Sequence, residues 1–121
     1  MIVDDNPKFL RELKESLELY GYQIICLQDG KFVLGTTLEQ KPDLILIDLK
    51  MEGMSGLEIA DILSHSSQTY YIPIIIMSAY WTSENMKTAL ELYIRRIAHL
   101  QHLNSITRDI QLVSHCLHIK R

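Results

Sequence analysis

Two short stretches of this chain, Leu44-Ile45-Leu46-Ile47 and Ile72-Pro73-Ile74-Ile75-Ile76-Met77, carry no charged or hydrogen-bonding side chain, and each stops on a polar one, Asp48 and Ser78. A strand with one wet face alternates apolar and polar residues. An unbroken apolar run of this length predicts a strand covered on both faces, as in the middle of a parallel sheet. Pro73 falls near the start of its run, where a missing N–H does least harm to strand pairing. Both runs therefore point to a buried sheet whose polar groups collect at the strand ends.

The rest of the chain supplies the remaining layers. Ile2-Val3 is a strand stub that runs into Asp4-Asp5, and Asn6-Pro7 reads as an N-cap followed by proline at the first helical position. Leu10, Leu13, Leu17 and Tyr20 follow at helical spacing, and Gly21 can close the helix in a left-handed conformation. The pattern predicts a second strand over Gln23–Leu27, a short helix over 31–39 carrying Phe32 and Leu38, and a helix over Gly56–Leu63 through Leu57, Ile59, Ala60 and Leu63. Ser83 can cap a helix reaching Leu92. Ile94–Leu100 is the fifth strand expected, and Asn104 or Ser105 begins a last helix with Ile106, Ile110, Val113 and Leu117 on its buried side. Five strands alternating with five helices imply an α/β unit with a parallel sheet covered on both faces. Right-handed crossovers leave few topologies, among them the doubly wound order 2-1-3-4-5. That order places the working crevice at the C-terminal ends of the first and third strands.

Composition agrees with one globular domain spanning residues 1–121. The apolar fraction is 47% and the charged fraction 22%. No apolar run approaches the roughly 20 residues of a membrane span, and no signal peptide is visible at Met1-Ile2-Val3-Asp4-Asp5. Cys26 and Cys116 sit in apolar segments and read as free thiols in a reducing, cytoplasmic setting. The net charge of −3 divides unevenly, −7 over residues 1–84 and +4 over residues 85–121. An acidic first part suits a cation, and a basic last part suits an acidic partner or serves only as solvated surface.

In the order 2-1-3-4-5 the first and third strands are neighbours, so Asp4, Asp5 and Asp48 converge on one rim. Three carboxylates so placed repel, and a hard divalent cation is the natural compensation. Mg²⁺ takes a few carboxylates, waters and the oxygens of a phosphate. Such a site can screen an aspartate while it attacks a phosphoryl group. Ser78 follows the fourth strand, beside the third, where its hydroxyl can meet a phosphoryl oxygen on Asp48.

These residues form a pattern. Ile2-Val3-Asp4-Asp5-Asn6, Pro42-Asp43-Leu44-Ile45-Leu46-Ile47-Asp48-Leu49-Lys50-Met51, Met54-Ser55-Gly56-Leu57-Glu58 and Ile72-Pro73-Ile74-Ile75-Ile76-Met77-Ser78-Ala79 together resemble the receiver domains of two-component response regulators, from about residue 1 to about residue 92. The resemblance implies a flavodoxin-like, doubly wound five-stranded parallel sheet. It implies phosphorylation of Asp48 by a histidine kinase or phosphotransfer protein. Asp4, Asp5, Asp48 and the backbone carbonyl of Lys50 would hold Mg²⁺. Ser78 would be the switch hydroxyl and small Ala79 would leave it room, while Lys50 and Tyr80 would stand on the pocket rim. The signal would leave through the face made by helix 4, strand 5 and helix 5, which also serves dimerisation or output contacts in this family. The helix 4 to helix 5 face carries no aromatic-basic interleaving that would argue for direct nucleic-acid binding, no membrane role is expected, and the chain is read as modifying itself and not as an enzyme acting on an external metabolite.

The chain departs from the family near its end. The family usually has a Lys followed by Pro after the fifth strand, but there is no Lys between Lys87 and Lys120, and the position falls on Leu100 or Gln101. A charge-assisted hydrogen bond to a phosphoryl oxygen is worth roughly 1.5–3 kcal/mol. Its loss predicts phosphorylation with attenuated output. Arg95, Arg96, His99 and His102 are the nearby groups that can substitute, though Arg is not a compact point charge.

Rival readings are a degenerate receiver that binds proteins without phosphorylation, a Mg²⁺-dependent phosphatase and an FMN carrier. The phosphatase needs an acid/base Asp two residues after the nucleophile, where this chain has Lys50. The FMN carrier needs a phosphate-binding loop of Ser, Thr or Gly where residues 4–8 open on two acids, Asp4-Asp5, and hold no Ser, Thr or Gly. His115 and His118 share a helical face, but zinc requires three or four such ligands.

Overall fold

In a computed structural model of the protein, residues 1–78, 82–84, 87–88, 96–99, 108 and 110–111 are described, those of 96–99 by their backbone. The elements are β1 (Ile2–Val3), α1 (Pro7–Glu18), β2 (Cys26–Leu27), a 3₁₀ turn (Gly30–Phe32), α2 (Val33–Gln40), β3 (Ile45–Asp48), α3 (Gly56–Ser64), β4 (Ile74–Ser78) and β5 (Arg96–His99). All strand pairs are parallel: Ile2 and Val3 lie opposite Cys26 and Leu27 on one side and opposite Leu46 and Ile47 on the other. β3 then pairs with β4, with Asp48 opposite Met77.

The expectation of a complete five-stranded, flavodoxin-like unit is corrected. Side chains and burial establish a four-stranded parallel core in the order β2-β1-β3-β4. The backbone of β5 pairs along the outer edge of β4, in the sheet position foreseen for it. The helices expected around it, from Ser83 and from Asn104 or Ser105, lie largely outside the described residues. Three α-helices, not five, are described in full. Apolar runs report the burial of a strand, whereas the layer that would cover β5 rests on contacts outside the described residues.

Strand alternation divides the core into two halves. Val3, Ile45, Ile47, Ile74 and Ile76 face one way and pack with Val33 of α2 and with Ile59, Ala60 and Leu63 of α3. Ile2, Leu46, Ile75 and Met77 face the other way and pack with Leu10, Leu13 and Leu17 of α1 and with Ile110. Each fully buried aliphatic side chain of this kind contributes about 1.5–3 kcal/mol relative to exposure. This two-sided burial is why the β3 and β4 sequences are continuously apolar.

Local chemistry sets the ends. The Asn6 side chain accepts hydrogen bonds from the Lys8 and Phe9 amides at 3.1 and 3.2 Å, and Pro7 occupies the first turn, so α1 begins where predicted. Gly21, at φ 90°, takes the left-handed turn after α1. Other boundaries moved. The second strand pairs over Cys26–Leu27 only, and the fourth begins at Ile74 and includes Ser78. The helix expected over 31–39 is α2, and it buries Val33 and Thr37. Phe32 is 56% exposed and Leu38 38%. Thr37 is hidden because its hydroxyl donates to the Val33 carbonyl within the helix, at 2.6 Å. Tyr20, grouped with the buried leucines by its spacing, is likewise exposed beyond the helix end.

Candidate functional site

The pairing of β1 with β3 decides the site. Val3 lies opposite Ile47, so the next residue on each chain, Asp4 and Asp48, leaves the sheet at the same level. Asp5 follows Asp4 into the loop before α1. One carboxylate oxygen from each of Asp4, Asp5 and Asp48 lies within 4.8 Å of the others. The three acids differ in exposure: Asp4 is buried, Asp48 half-buried and Asp5 exposed.

Hydrogen bonds orient two of them. Asp4 accepts from the Asn6 amide at 2.8 Å, within its own turn. Asp5 accepts from the Glu52 amide at 3.1 Å, across 47 residues, which ties the loop after β3 to the loop after β1. Burial pushes the Asp48 carboxyl up to about 7, reinforced by the charge of Asp4 and to a lesser degree of Asp5, while the Lys50 and Leu49 amides act against the rise. Burial also raises Asp4, with the Asn6 amide opposing and Asp5 adding to the rise. Crowded carboxylates with no cation respond in this way.

A cluster of hard oxygen donors in this arrangement fits Mg²⁺ or a similar divalent cation and does not fit a soft metal. Such an ion would take one oxygen from each acid and leave further positions for water and phosphate. A cavity of about 580 Å³ is found at the opposite ends of the strands, lined by Met1, Tyr22, Pro42, Leu44 and Ile110 among others, and it belongs to a different part of the molecule.

Ser78 ends β4 one residue beyond Met77, the partner of Asp48, and is buried. It is thus on the strand adjacent to that of Asp48 and at the same end. Lys50 is exposed, two residues beyond Asp48. Ala79, Tyr80, Leu100 and Gln101 lie outside the described residues, as do His102, His115 and His118 and the side chains of Arg95, Arg96 and His99.

Two features of the site were not foreseen. The Glu52 amide contact to Asp5 is made by the backbone, and no side-chain pattern announces it. Gly56, read in the sequence as the start of a helix and as one residue of the receiver pattern, donates its amide to the Leu49 carbonyl at 2.9 Å and packs against the backbone of Asp48. The glycine itself was the available signal, since a residue without Cβ at a helix start permits close backbone approach.

A rim of acids at the carboxyl ends of adjacent parallel strands, flanked by a strand-end serine, is the arrangement of a receiver domain. The chain belongs to the response regulator receiver domain family, which it matches over residues 1–98. Among curated relatives it is 33% identical over 91 residues to the transcriptional regulatory protein KdpE of Mycobacterium tuberculosis, a match covering 75% of this chain and 39% of that protein. It is 34% identical over 80 residues to the polar-differentiation response regulator DivK of Brucella anthropi, covering 66% of this chain and 65% of that protein. The matched region thus spans less than two thirds of the length of each of these relatives. In fold it is similar to the chemotaxis protein CheY4 of Vibrio cholerae, with a TM-score of 0.85 at 20% identity over 93% of this chain and 94% of that one. It is also similar to the signal receiver domain of a signal transduction histidine kinase from Syntrophus aciditrophicus, with a TM-score of 0.79 at 26% identity over 99% of this chain and 90% of that one. No helix among the described residues is long and apolar enough to cross a membrane.

Proposed function

We propose that this chain is a phosphoacceptor in a two-component phosphorelay, modified on Asp48 with Mg²⁺ held by Asp4, Asp5, Asp48 and the Lys50 carbonyl. The observation that carries the proposal is the convergence of the three carboxylates at the end of a buried parallel sheet. Membership of the receiver family supports it. The donor is a phosphohistidine of a histidine kinase or phosphotransfer protein. An Asp48 oxygen forms the new bond to phosphorus as the P–N bond breaks, and the electron pair remains on the histidine nitrogen. The product is an aspartyl phosphate. Mg²⁺, when bound, supplies charge neutralisation for the incoming phosphoryl oxygens.

This chain's own residues do the rest. Asp48 attacks as the carboxylate, so its raised pKa makes loss of its proton part of activation. Ser78 offers a hydroxyl to a phosphoryl oxygen, and its movement toward that oxygen carries the signal to the helix 4, strand 5 and helix 5 face, where a second copy or an output partner docks. The chain assists its own modification and acts on no external metabolite, in a cytoplasmic setting. Mass spectrometry after treatment with acetyl phosphate and Mg²⁺ tests the assignment: a gain of one phosphate on the parent and none on Asp48→Asn is expected, and phosphate on neither protein overturns it.

A second function is favoured by one specific observation, the lack of any Lys between Lys87 and Lys120. Without that ammonium, the chain works as a protein-binding module independent of phosphorylation. Mg²⁺ affinity together with phosphate incorporation separates the two functions.

A further inference from the structure

The start of α3 touches the acceptor more closely than a side chain would permit. A Cβ built on Gly56 would meet the Asp48 carbonyl oxygen inside any distance that real Cβ atoms keep. It would also stand 3.0 Å from the Asp48 carbonyl carbon and 3.1 Å from Ile47 Cγ2. Two of these three atoms are main chain, so no rotamer change relieves the overlap.

Neither side can yield without altering the site. Ile47 and Asp48 are pinned in β3 between β1 and β4 by the Val3–Ile47 and Asp48–Met77 pairings. The Leu49 amide donates to the Met77 carbonyl at 2.8 Å, which extends that hold one residue further. On the other side, the first turn of α3 is fixed by Ser55, whose hydroxyl accepts from the Glu58 amide at 3.2 Å, and by the Gly56 amide on the Leu49 carbonyl. If the strand moves, Asp48 moves. If the helix start moves, the loop 49–55 moves with it, and that loop carries Lys50 and the Glu52 amide that holds Asp5.

We infer that Gly56 is a positioning residue for the acid cluster: direct backbone packing of α3 on Asp48 sets where Asp48 and the Lys50 main chain stand relative to Asp4 and Asp5. It touches no substrate and acts through Asp48. The inference deepens the phosphoacceptor assignment, but its structural half stands apart from it.

The test compares Gly56→Ala with Gly30→Ala on the full chain. Gly30 supplies a matched control, because a Cβ there meets only the movable end of the Ile59 side chain of α3, at 2.7 and 3.3 Å, and the sulfur of Met54 at 3.5 Å. In metal-free protein, Gly56→Ala shifts the Asp48 carbonyl carbon and the Leu49 and Lys50 amide resonances, and Gly30→Ala leaves them in place. On adding Mg²⁺, Gly56→Ala binds about 10-fold more weakly or worse, the loss typical when the groups that orient metal ligands are disturbed. Identical resonances and Mg²⁺ affinity in the two variants would overturn the inference. Should Gly56→Ala not fold, the unsubstituted protein decides: Mg²⁺ must move the Gly56 amide resonance along with that of Lys50, and a stationary Gly56 resonance overturns the inference. If the parent binds no Mg²⁺ and takes no phosphate, the phosphoacceptor assignment fails, while the metal-free resonances of the two variants still decide the role of Gly56.

Discussion

Asp4 and Asp48 leave adjacent parallel strands side by side, one residue beyond the Val3–Ile47 pair, and the charge of Asp4 reinforces the burial that lifts Asp48 to about 7. Asp4 thereby makes Asp48 harder to ionise, and Asp5 does the same to Asp4. The cluster is a place where the fold holds groups together against their electrostatic preference, and several measurable consequences follow from that tension.

The first concerns pH. The folded-state pKa of Asp48 lies above its ordinary value of 3.8, so the folded protein binds the proton more tightly than the unfolded chain does. The contribution of this group to stability is fully present below about pH 4 and is lost as the pH climbs to about 7. Metal-free thermal unfolding should therefore show a decline in Tm across this window that Asp48→Asn makes shallower, the raised Asp4 carboxyl keeping the remainder. An equally steep decline in the variant would show that other groups cause it.

Asp48→Asn should also stabilise the metal-free protein at pH 8. Each unit of raised pKa corresponds to about 1.4 kcal/mol of disfavoured charge, which the amide does not carry. Chemical denaturation at pH 8 should give a gain on the order of 1 kcal/mol or more, together with loss of Mg²⁺-induced stabilisation. A destabilised variant would mean that the carboxylate makes stronger favourable contacts than its surroundings suggest.

Mg²⁺ binding itself should tighten with pH. The ion competes with the proton on Asp48, so affinity rises through pH 7 and levels off once the carboxylate is fully ionised. Isothermal titration at pH 6 and pH 8 measures this directly, with roughly a tenfold difference expected for one competing proton on a group that titrates at about 7, between the two. Equal affinities would place the metal away from Asp48.

Ser78→Ala should separate modification from its readout. Ser78 is buried at the end of β4, beside β3, and the proposed transfer to Asp48 makes no bond to its hydroxyl. Phosphate incorporation should persist, while beryllofluoride-induced chemical-shift changes around β4 and β5 shrink, because a hydrogen bond to a charged group worth about 1.5–3 kcal/mol is missing. An undiminished response would remove Ser78 from the switch.

A control away from the site tests the fold. Leu13 is fully buried between α1 and the sheet, and Leu13→Ala should cost about 2–5 kcal/mol. Asn6→Ala, which removes only the cap of α1, should cost about 1 kcal/mol. Denaturant unfolding of the two variants should give that ranking.

Much was determined by the chain alone. The unbroken apolar runs identified β3 and β4 as strands covered on both faces, and Asn6-Pro7 identified the start of α1, because side-chain burial and backbone capping leave direct marks on residue order. The three acids and Ser78 could be named for the same reason, as polar residues stopping greasy strands. The tertiary structure decided what lies between segments distant in sequence. It shortened β2 to two residues and turned Phe32 and Leu38 outward in favour of Val33 and Thr37. It also brought the Glu52 amide to Asp5 and the bare Cα of Gly56 to the Asp48 main chain. The Glu52 contact is made by a backbone atom that every residue shares, so only the path of the folded chain could reveal it, whereas the Gly56 approach was marked in the sequence by the missing Cβ alone.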